Sequence, residues 1–245
     1  MTKSIRTKPL VHEAANLLDT IDAIRLLLPT STVIKGGGLN QLEGFIFPEE
    51  EDLIKDAVPK RRREFIAGRI YARQALSELG HPPGPIVKNS CRAPLWPDGF
   101  VGAISHTHAL CAAVVGRAAD IASIGVDLED DTELEPELIP IICDPSELRG
   151  RSGIETSIAI DLPKLVFIAK EALYKLYNPI TRYFLDFLDV NIVVNPISKT
   201  FEAYLTNERV PSFLGQRHVG GRFGQHAGTL FAVAWVPIEA AKPHY

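Results

Sequence analysis

Two short segments with acidic side chains constrain this chain more than any other feature of its sequence. The first has the pattern of a buried strand, on which Asp127 and Glu129 leave the same face because side chains alternate. The second, about forty residues later, predicts a helix with Glu171 and Lys175 one turn apart on one face. If strand and helix pack together, three carboxylates and an ammonium group converge. Such a set suits a hard divalent cation and a phosphate, which indicates metal-assisted chemistry on a phosphorylated substrate.

The composition is that of a globular protein and argues against several other classes. The 245 residues allow one large domain or two small ones, and 46% of them are hydrophobic. A net charge of −4 gives no support for general nucleic-acid binding. No apolar run reaches the roughly 18 residues that span a bilayer, and no signal-peptide pattern follows the N-terminus. The three cysteines form neither a disulfide framework nor a zinc pattern, so we expect a reduced, cytoplasmic protein.

Two long helices are predicted with well-marked ends. The first runs from Pro59 to about residue 79, because proline suits a helix start and Gly80 suits its end. The second spans about residues 162–177, with Asp161 as the N-cap. Weaker helical patterns occupy residues 11–28 and parts of 130–160.

The strand patterns fall into two groups. Three apolar stretches predict an antiparallel meander, at residues 100–105, 109–116 and 120–128. Four more strands are predicted at residues 187–194, 200–205, 217–223 and 229–236. The glycine run Gly36–Gly38 predicts a loop, because it lacks the spacing and the following Lys-Ser/Thr of a phosphate-binding P-loop.

A weak internal repeat relates the two long helices. Both contain Phe-Ile-Ala, starting at Phe65 and at Phe167, and Arg69 and Arg73 then match Glu171 and Lys175 in spacing. The order of elements is also similar, so the chain predicts two similar α+β halves, each with a long helix on an antiparallel sheet. We place them at residues 1–120, with an N-terminal extension over 1–58, and at 121–245. A site between two such halves is a natural ligand cleft.

Basic and polar side chains near the first helix suit an anionic ligand. Arg61, Arg69 and Arg73 share one broad helix face, and arginine forks suit phosphate oxygens. The alternative is a solvated basic helix end. Ser105 and His106 follow an apolar strand, where a histidine binds phosphate, serves as an acid or base, or is structural.

The acidic segments also have simpler explanations. Asp127 and Glu129 can belong to an acidic loop, although the apolar residues around them favour the end of a buried strand, where a cation relieves unpaired charge. Glu171 and Lys175 can form an ordinary exposed ion pair, although the helix is apolar over much of its circumference.

The order of these motifs is more specific than any one of them. The chain closely resembles 4′-phosphopantetheinyl transferases of the Sfp-like group, and most closely the enterobactin synthetase component D type. The resemblance covers about residues 55–205 and rests on the motifs Arg61–Arg69, Trp96-Pro97, Gly102–His106, Gly125–Glu129 and Phe167–Lys175. One departure is Ala103, where serine is common in the family.

The resemblance implies a reaction and a fold. Such enzymes move the 4′-phosphopantetheine arm of coenzyme A to a serine of an apo carrier protein and release adenosine 3′,5′-bisphosphate. They need Mg²⁺, and the sequence alone does not distinguish Mg²⁺ from Mn²⁺. The implied fold is a pseudo-duplicated α+β unit with coenzyme A between its halves. A metal-dependent phosphohydrolase and a non-catalytic nucleotide-binding protein remain as alternatives.

The resemblance also implies residue roles. Arg61, Arg69 and His106 correspond to groups that hold the coenzyme A 3′-phosphate, Lys88 is similar to a lysine near the nucleotide and diphosphate, and Arg92 and Ser105 are neighbours of the same ligand. Asp127, Glu129 and Glu171 correspond to the metal-binding acids, and Lys175 to the lysine on the diphosphate. Glu171 is further hypothesised to take the proton from the carrier serine, directly or through water.

The partner is expected to be a peptidyl, aryl or acyl carrier protein, with siderophore synthesis favoured by the subgroup. Carrier proteins are usually acidic, so docking calls for a local basic and apolar patch, for which the candidates are Lys170, Arg182, Tyr183 and Phe184. The alternative is that residues 178–188 simply pack as a loop. We expect a monomer.

Overall fold

The computed structural model describes residues 8–39, 44–89, 92–149 and 160–238. Its helices are α1 (Lys8–Arg25), α2 (Pro48–Glu51), α3 (Pro59–Glu78), α4 (Ile139–Ile142), α5 (Pro145–Leu148) and α6 (Leu162–Thr181). Its strands are β1 (Thr32–Gly38), β2 (Phe100–His106), β3 (Leu110–Arg117), β4 (Ile121–Asp130), β5 (Val190–Asn195), β6 (Thr200–Leu205), β7 (His218–His226) and β8 (Thr229–Pro237). Short 3₁₀ turns cover Asp52–Ile54 and Phe187–Asp189. Cys91 and part of the predicted 130–160 region lie outside the described residues. In the described ranges no helix is long and apolar enough to cross a membrane.

The strands form two antiparallel sheets. The smaller has the order β1-β3-β2, and the larger has the order β4-β8-β7-β6-β5. In each half of the chain, the strand that precedes the long helix pairs with the last strand of the same half. In this way β1 pairs with β3, and β4 pairs with β8. The predicted α+β class is therefore confirmed, and both sheets are built on the same plan.

The predicted meander of three strands is wrong in its third member. β2 and β3 form the expected hairpin, but β4 pairs with β8 in the larger sheet. The reason is that β3 already has β1 and β2 on its two edges, so it has no edge left to pair with β4. β4 instead meets β2 where the sheets adjoin, and the Leu128 N–H donates to the Ser105 hydroxyl at 3.1 Å.

The predicted loop at Gly36–Gly38 is also wrong, because these residues end strand β1. Their lack of side chains permits close packing on both faces of the sheet. A Cβ on Gly36 would lie 2.6 Å from the Cys111 carbonyl oxygen and would collide with Ile21 of α1. A Cβ on Gly37 would lie 2.7 Å from the Tyr71 hydroxyl of α3.

The long helices lie close to the predicted ranges. Helix α6 begins after Asp161, whose carboxylate accepts the Lys164 N–H at 3.0 Å as expected of an N-cap. The helix runs beyond the predicted residue 177 to Thr181, and its C-cap residue Arg182 has a left-handed conformation with φ 54°. Gly125 of β4 allows this helix to pack directly on the strand, because a Cβ there would collide with the Ala172 carbonyl. This close contact brings the end of β4 next to the middle of α6.

Candidate active site

A cavity of about 580 Å³ opens where α3, α6 and the ends of β2 and β4 meet. All ten side chains that the resemblance assigned to coenzyme A, the metal or catalysis line it: Arg61, Arg69, Lys88, Arg92, Ser105, His106, Asp127, Glu129, Glu171 and Lys175. Arg73 does not line the cavity, because it pairs with the buried Glu50 instead. The residues of the first half contribute mostly positive charge, and those of the second half contribute three carboxylates and one ammonium group. The cavity is therefore electrostatically divided along its length.

Asp127 lies at the centre of the acidic end. It is 3% exposed, and its Oδ1 accepts from the Lys175 ammonium at 2.6 Å and from the Ser105 hydroxyl at 2.9 Å. Lys175 also donates to Ser105 at 2.9 Å, so strand β2, strand β4 and helix α6 are joined by one polar cluster. The second carboxylate oxygen of Asp127, Oδ2, is buried and accepts from no described residue. Such an atom is costly to leave unpaired, so it points to a donor or cation that is still to be added.

The other two acids differ in their pairing. Glu129 is held by Lys164, whose ammonium lies 2.9 Å from Oε2. Glu171 accepts no hydrogen bond from the residues that the structure describes. Burial raises the pKa of Glu171, and the nearby charge of Asp127 raises it further, whereas Lys175 opposes the shift. Glu171 thus lies in a field of negative charge that a cation would relieve.

The three acids share the cavity but do not form a ready-made metal cage. Within the described residues, no group of three His, Cys, Asp or Glu side chains is placed to hold a metal ion. The reason is that lysines already pair with two of the carboxylates, Lys175 with Asp127 and Lys164 with Glu129. The unpartnered oxygen of Asp127 and the unpaired Glu171 nevertheless fit the all-oxygen donor set that a hard divalent cation prefers.

Arg69 is the most firmly held cation at the basic end. It is 5% exposed, its guanidinium lies 4.2 Å from the Phe65 ring centre, and its Nε donates to the Ile86 carbonyl at 2.6 Å. Burial lowers the pKa of Arg69 to about 10, so the group stays protonated at neutral pH. A buried guanidinium facing a cavity is a strong site for an anion.

His106 and Arg61 share a carboxylate that sequence reasoning missed. Glu64 lies in the cavity wall, with its Oε2 3.5 Å from both the Arg61 Nη1 and the His106 Nε2. Burial lowers the pKa of His106, and although Glu64 opposes this shift, Lys175 and Arg61 add to it. The i, i+3 spacing of Arg61 and Glu64 on α3 was the available signal.

Lys88 and Arg92 lie on the loop that covers the basic end. Lys88 pairs with Pro94 in an isolated β-bridge, and Arg92 has a left-handed backbone with φ 65°. The Arg92 N–H donates to the Asn89 carbonyl at 3.0 Å. Both cations line the cavity.

The candidate docking residues divide into two kinds. Lys170 is wrong as a surface candidate, because it is 3% exposed and its ammonium is bonded to Glu147 and to the carbonyls of Ile142 and Phe187, each at 2.8 Å. Phe184, by contrast, is 73% exposed. Its ring centre lies 5.9 Å from that of Tyr174, which lines the cavity.

Comparison with known proteins gives two family matches in tandem. A family model described as the 4′-phosphopantetheinyl transferase N-terminal domain matches residues 49–116, and one described as the 4′-phosphopantetheinyl transferase superfamily matches residues 123–230.

Curated relatives agree with these matches. The chain is 39% identical over 198 residues to the 4′-phosphopantetheinyl transferase Svp of Streptomyces mobaraensis, covering 80% of this chain and 79% of the relative. It is 41% identical over 145 residues to the 4′-phosphopantetheinyl transferase PptT of Mycobacterium tuberculosis, covering 59% of this chain and 63% of the relative. It is 36% identical over 133 residues to enterobactin synthase component D of Salmonella typhi, covering 52% and 53%.

The resemblance inferred from the order of the motifs is thereby confirmed, including the likeness to the component D type. The matched regions span both long helices and all ten cavity residues assigned from the sequence. The chain belongs to the 4′-phosphopantetheinyl transferase superfamily and is an enzyme of that type.

Proposed function

We propose that this enzyme transfers the 4′-phosphopantetheine group of coenzyme A to a serine of an apo carrier protein, with Mg²⁺, and releases adenosine 3′,5′-bisphosphate. The observation that carries the proposal is the division of one cavity into a basic end and an acidic end. Coenzyme A has a 3′-phosphate at one end of its nucleotide and a diphosphate at the other, so it needs both.

The basic end would bind the nucleotide. Arg69 would hold the 3′-phosphate, since its guanidinium is already fixed by Phe65 and Ile86. Arg61 and His106 would contact the same phosphate, which would then compete with Glu64 for them. A phosphate favours the protonated form of a nearby histidine, so binding would draw a proton onto His106.

Two further cations and a hydroxyl would complete the nucleotide site. We assign Lys88 to the region between the nucleotide and the diphosphate, with Arg92 and Ser105 beside the same ligand. All three line the cavity.

The acidic end would hold the metal. Asp127, Glu129 and Glu171 would be its ligands, with Mn²⁺ as an alternative to Mg²⁺. When bound, the cation supplies positive charge that polarises the diphosphate and neutralises the charge that develops on it. The fit rests on the unpartnered Oδ2 of Asp127 and on the unpaired Glu171.

The chain's own residues would then move the proton and stabilise charge. Glu171, directly or through water, would take the proton from the carrier serine. The serine oxygen would form a bond to the β-phosphorus, while the bond from that phosphorus to the bridging oxygen of the diphosphate breaks. Lys175 would stabilise the leaving phosphate oxygen, for which it must give up part of its interaction with Asp127.

The carrier would dock at a patch formed by Arg182, Tyr183 and Phe184. This carrier-docking patch is exposed and adjoins the cavity through the contact of Phe184 with Tyr174. It offers one positive charge and two aromatic rings to an acidic partner. Because one relative is named enterobactin synthase component D, we favour a peptidyl or aryl carrier of siderophore synthesis. The monomeric state, the cytoplasmic location and the division into halves at residues 120 and 121 stay predictions.

The deciding experiment is the intact mass of purified apo carrier proteins after incubation with the enzyme, coenzyme A and Mg²⁺. We expect a gain of one phosphopantetheine, abolished by EDTA and by Lys175→Met. Free phosphopantetheine released without a carrier would indicate a hydrolase instead. Failure to bind coenzyme A would contradict the proposal altogether.

A further inference from the structure

Glu50 is a fully buried carboxylate outside the cavity. It lies on the short helix α2, with 0% of its surface exposed. Its two oxygens accept from the Arg73 guanidinium at 2.6 and 2.7 Å. One oxygen also accepts the Phe47 N–H at 3.0 Å, and the other accepts the Ile86 N–H at 2.8 Å. The carboxylate therefore ties α2 and α3 to the segment that contains Ile86.

Ile86 links this buried acid to the basic end of the cavity. Its N–H is bonded to Glu50, and its carbonyl accepts from the Arg69 Nε at 2.6 Å. Among the described residues this is the one side-chain hydrogen bond of Arg69, so its two Nη groups are left for the cavity that it lines. The chain of contacts runs from Glu50 through a single residue to the guanidinium.

The Ile86 peptide lies between these two contacts, while its side chain is fully buried in the core beside α3. Residues 81–87 belong to no helix or strand. Among the described residues, the Ile86 peptide forms the two hydrogen bonds already named, and the next peptide is held by the Leu95 N–H, which donates to the Val87 carbonyl at 2.8 Å. Lys88, only two residues further on, also lines the cavity. A shift of the Ile86 peptide would therefore move the carbonyl that orients Arg69, whereas Lys88 is held separately by its β-bridge with Pro94.

We propose that Glu50 is a positioning residue for the coenzyme A 3′-phosphate, acting through the Ile86 peptide on the guanidinium of Arg69. The inference rests on the proposed function of the cavity. It requires Glu50 to strengthen phosphate binding although its own charge is negative. A purely electrostatic role would have the opposite sign, since removing a nearby negative charge would tighten the binding of an anion.

The test compares coenzyme A with 3′-dephospho-coenzyme A in the full-length protein, by calorimetric binding and by transfer to a carrier. We expect the wild type to bind coenzyme A at least about tenfold more tightly, because a charge-assisted phosphate contact distinguishes the two ligands. Glu50→Gln should lower that preference to about threefold or less, with kcat for 3′-dephospho-coenzyme A within about twofold of wild type.

The matched control is Glu147→Gln, which changes another buried, ion-paired glutamate that belongs to the second half and does not line the cavity. It should destabilise the protein and leave the preference for coenzyme A unchanged. Because Glu50→Gln leaves Arg73 buried without its partner, the double variant Glu50→Gln/Arg73→Gln is measured beside it. That variant removes the unpaired charge and should also lose the preference.

The outcomes separate the two proposals. An unchanged or increased preference in folded Glu50 variants, with transfer retained, overturns the role of Glu50 and leaves the proposed function standing. Equal binding of both ligands by the wild type overturns the role of Glu50, since no 3′-phosphate site is then present. Failure of the wild type to bind coenzyme A overturns both.

Discussion

The short helices α2 and α5 precede the two long helices and carry the same arrangement around one buried glutamate. Each begins with a proline and has the glutamate at its third position, Glu50 in one and Glu147 in the other. Each glutamate accepts the N–H of the residue before its helix and the N–H of an isoleucine, Ile86 or Ile192. Each also forms a buried ion pair with the following long helix.

The halves differ in where that ion pair takes its cation. When the two long helices are aligned on Phe-Ile-Ala, Arg73 corresponds to Lys175, and Gly68 corresponds to Lys170. We call the buried ion pair between the short helix and the long helix the anchor of that long helix. In the first half it uses the later position, Arg73. In the second half the anchor moves to Lys170, which leaves Lys175 to face the cavity. The scaffold is therefore shared, while the side chains that reach the ligand differ between halves.

The largest expected effect comes from substituting Glu171 and Arg69, the cavity-facing residues at matching positions of the two long helices. Glu171→Gln should lower kcat by about 10² to 10⁴ with coenzyme A binding retained, because an amide cannot take the serine proton. Arg69→Gln should instead raise KM for coenzyme A by about 10- to 100-fold, because a charged hydrogen bond is lost. Steady-state kinetics with calorimetric binding separates the two. Normal turnover by Glu171→Gln would rule out its role as base.

The anchors themselves give the next largest effect. Lys170→Met should lower the free energy of unfolding by about 3–5 kcal/mol, because it leaves Glu147 buried and unpaired. Asp22→Asn, which breaks an ion pair whose side chains are 55% and 67% exposed, should change it by less than about 1 kcal/mol. Urea denaturation of both variants measures the difference. Equal losses would mean that burial is not what makes the anchors strong.

A smaller effect on stability is expected from glycine-to-alanine substitutions where each long helix packs on its sheet. Gly125→Ala should destabilise by about 1–3 kcal/mol or more, because its Cβ would collide with the backbone of α6. Gly68→Ala in α3 should have less effect, because its Cβ would meet the Ile104 side chain at 2.8 Å, which can shift. Gly84→Ala is the control, with nothing within 4 Å of its added Cβ. Thermal unfolding gives the order, and a larger loss for Gly68→Ala would contradict it.

The smallest expected effect is on pH dependence in the first half. The pKa of His106 lies below that of an unfolded histidine, mainly through burial, with Lys175 and Arg61 adding to the shift and Glu64 opposing it. The unfolded chain therefore gains a proton first, and stability should fall as pH drops below about 6.5. His106→Asn should lose less stability over that range. The measurement is urea denaturation at a series of pH values, and parallel losses in both proteins would contradict the sign.

Much of the fold and the site could be predicted because the signals are local. Pro59, Gly80 and Asp161 mark helix ends by their own backbone and capping preferences. Eight of the ten cavity residues were found because they lie within short motifs whose order along the chain is specific, and Lys88 and Arg92 precede the motif Trp96-Pro97.

The parts that were missed depend on partners distant in sequence. Glu50 pairs with Arg73 and with Ile86, and nothing near any of the three residues indicates it. Lys164 lies in the first turn of α6 and pairs with Glu129 of β4, and no local sequence pattern predicts this pair. Strand β1 ends in three glycines, which have low strand propensity, and it forms because β3, which lies more than seventy residues later, pairs with it.

The bond between Glu147 and Ile192 has a consequence for self-association. The larger sheet ends at β5, and a free edge strand presents backbone N–H groups that can pair with another chain. The Ile192 N–H is already occupied by the Glu147 carboxylate at 2.6 Å, and the Asn191 amide donates to Ser146 of the same short helix at 3.0 Å. The anchor of α6 therefore also shields this edge against strand addition, so that loosening it would promote aggregation as well as unfolding.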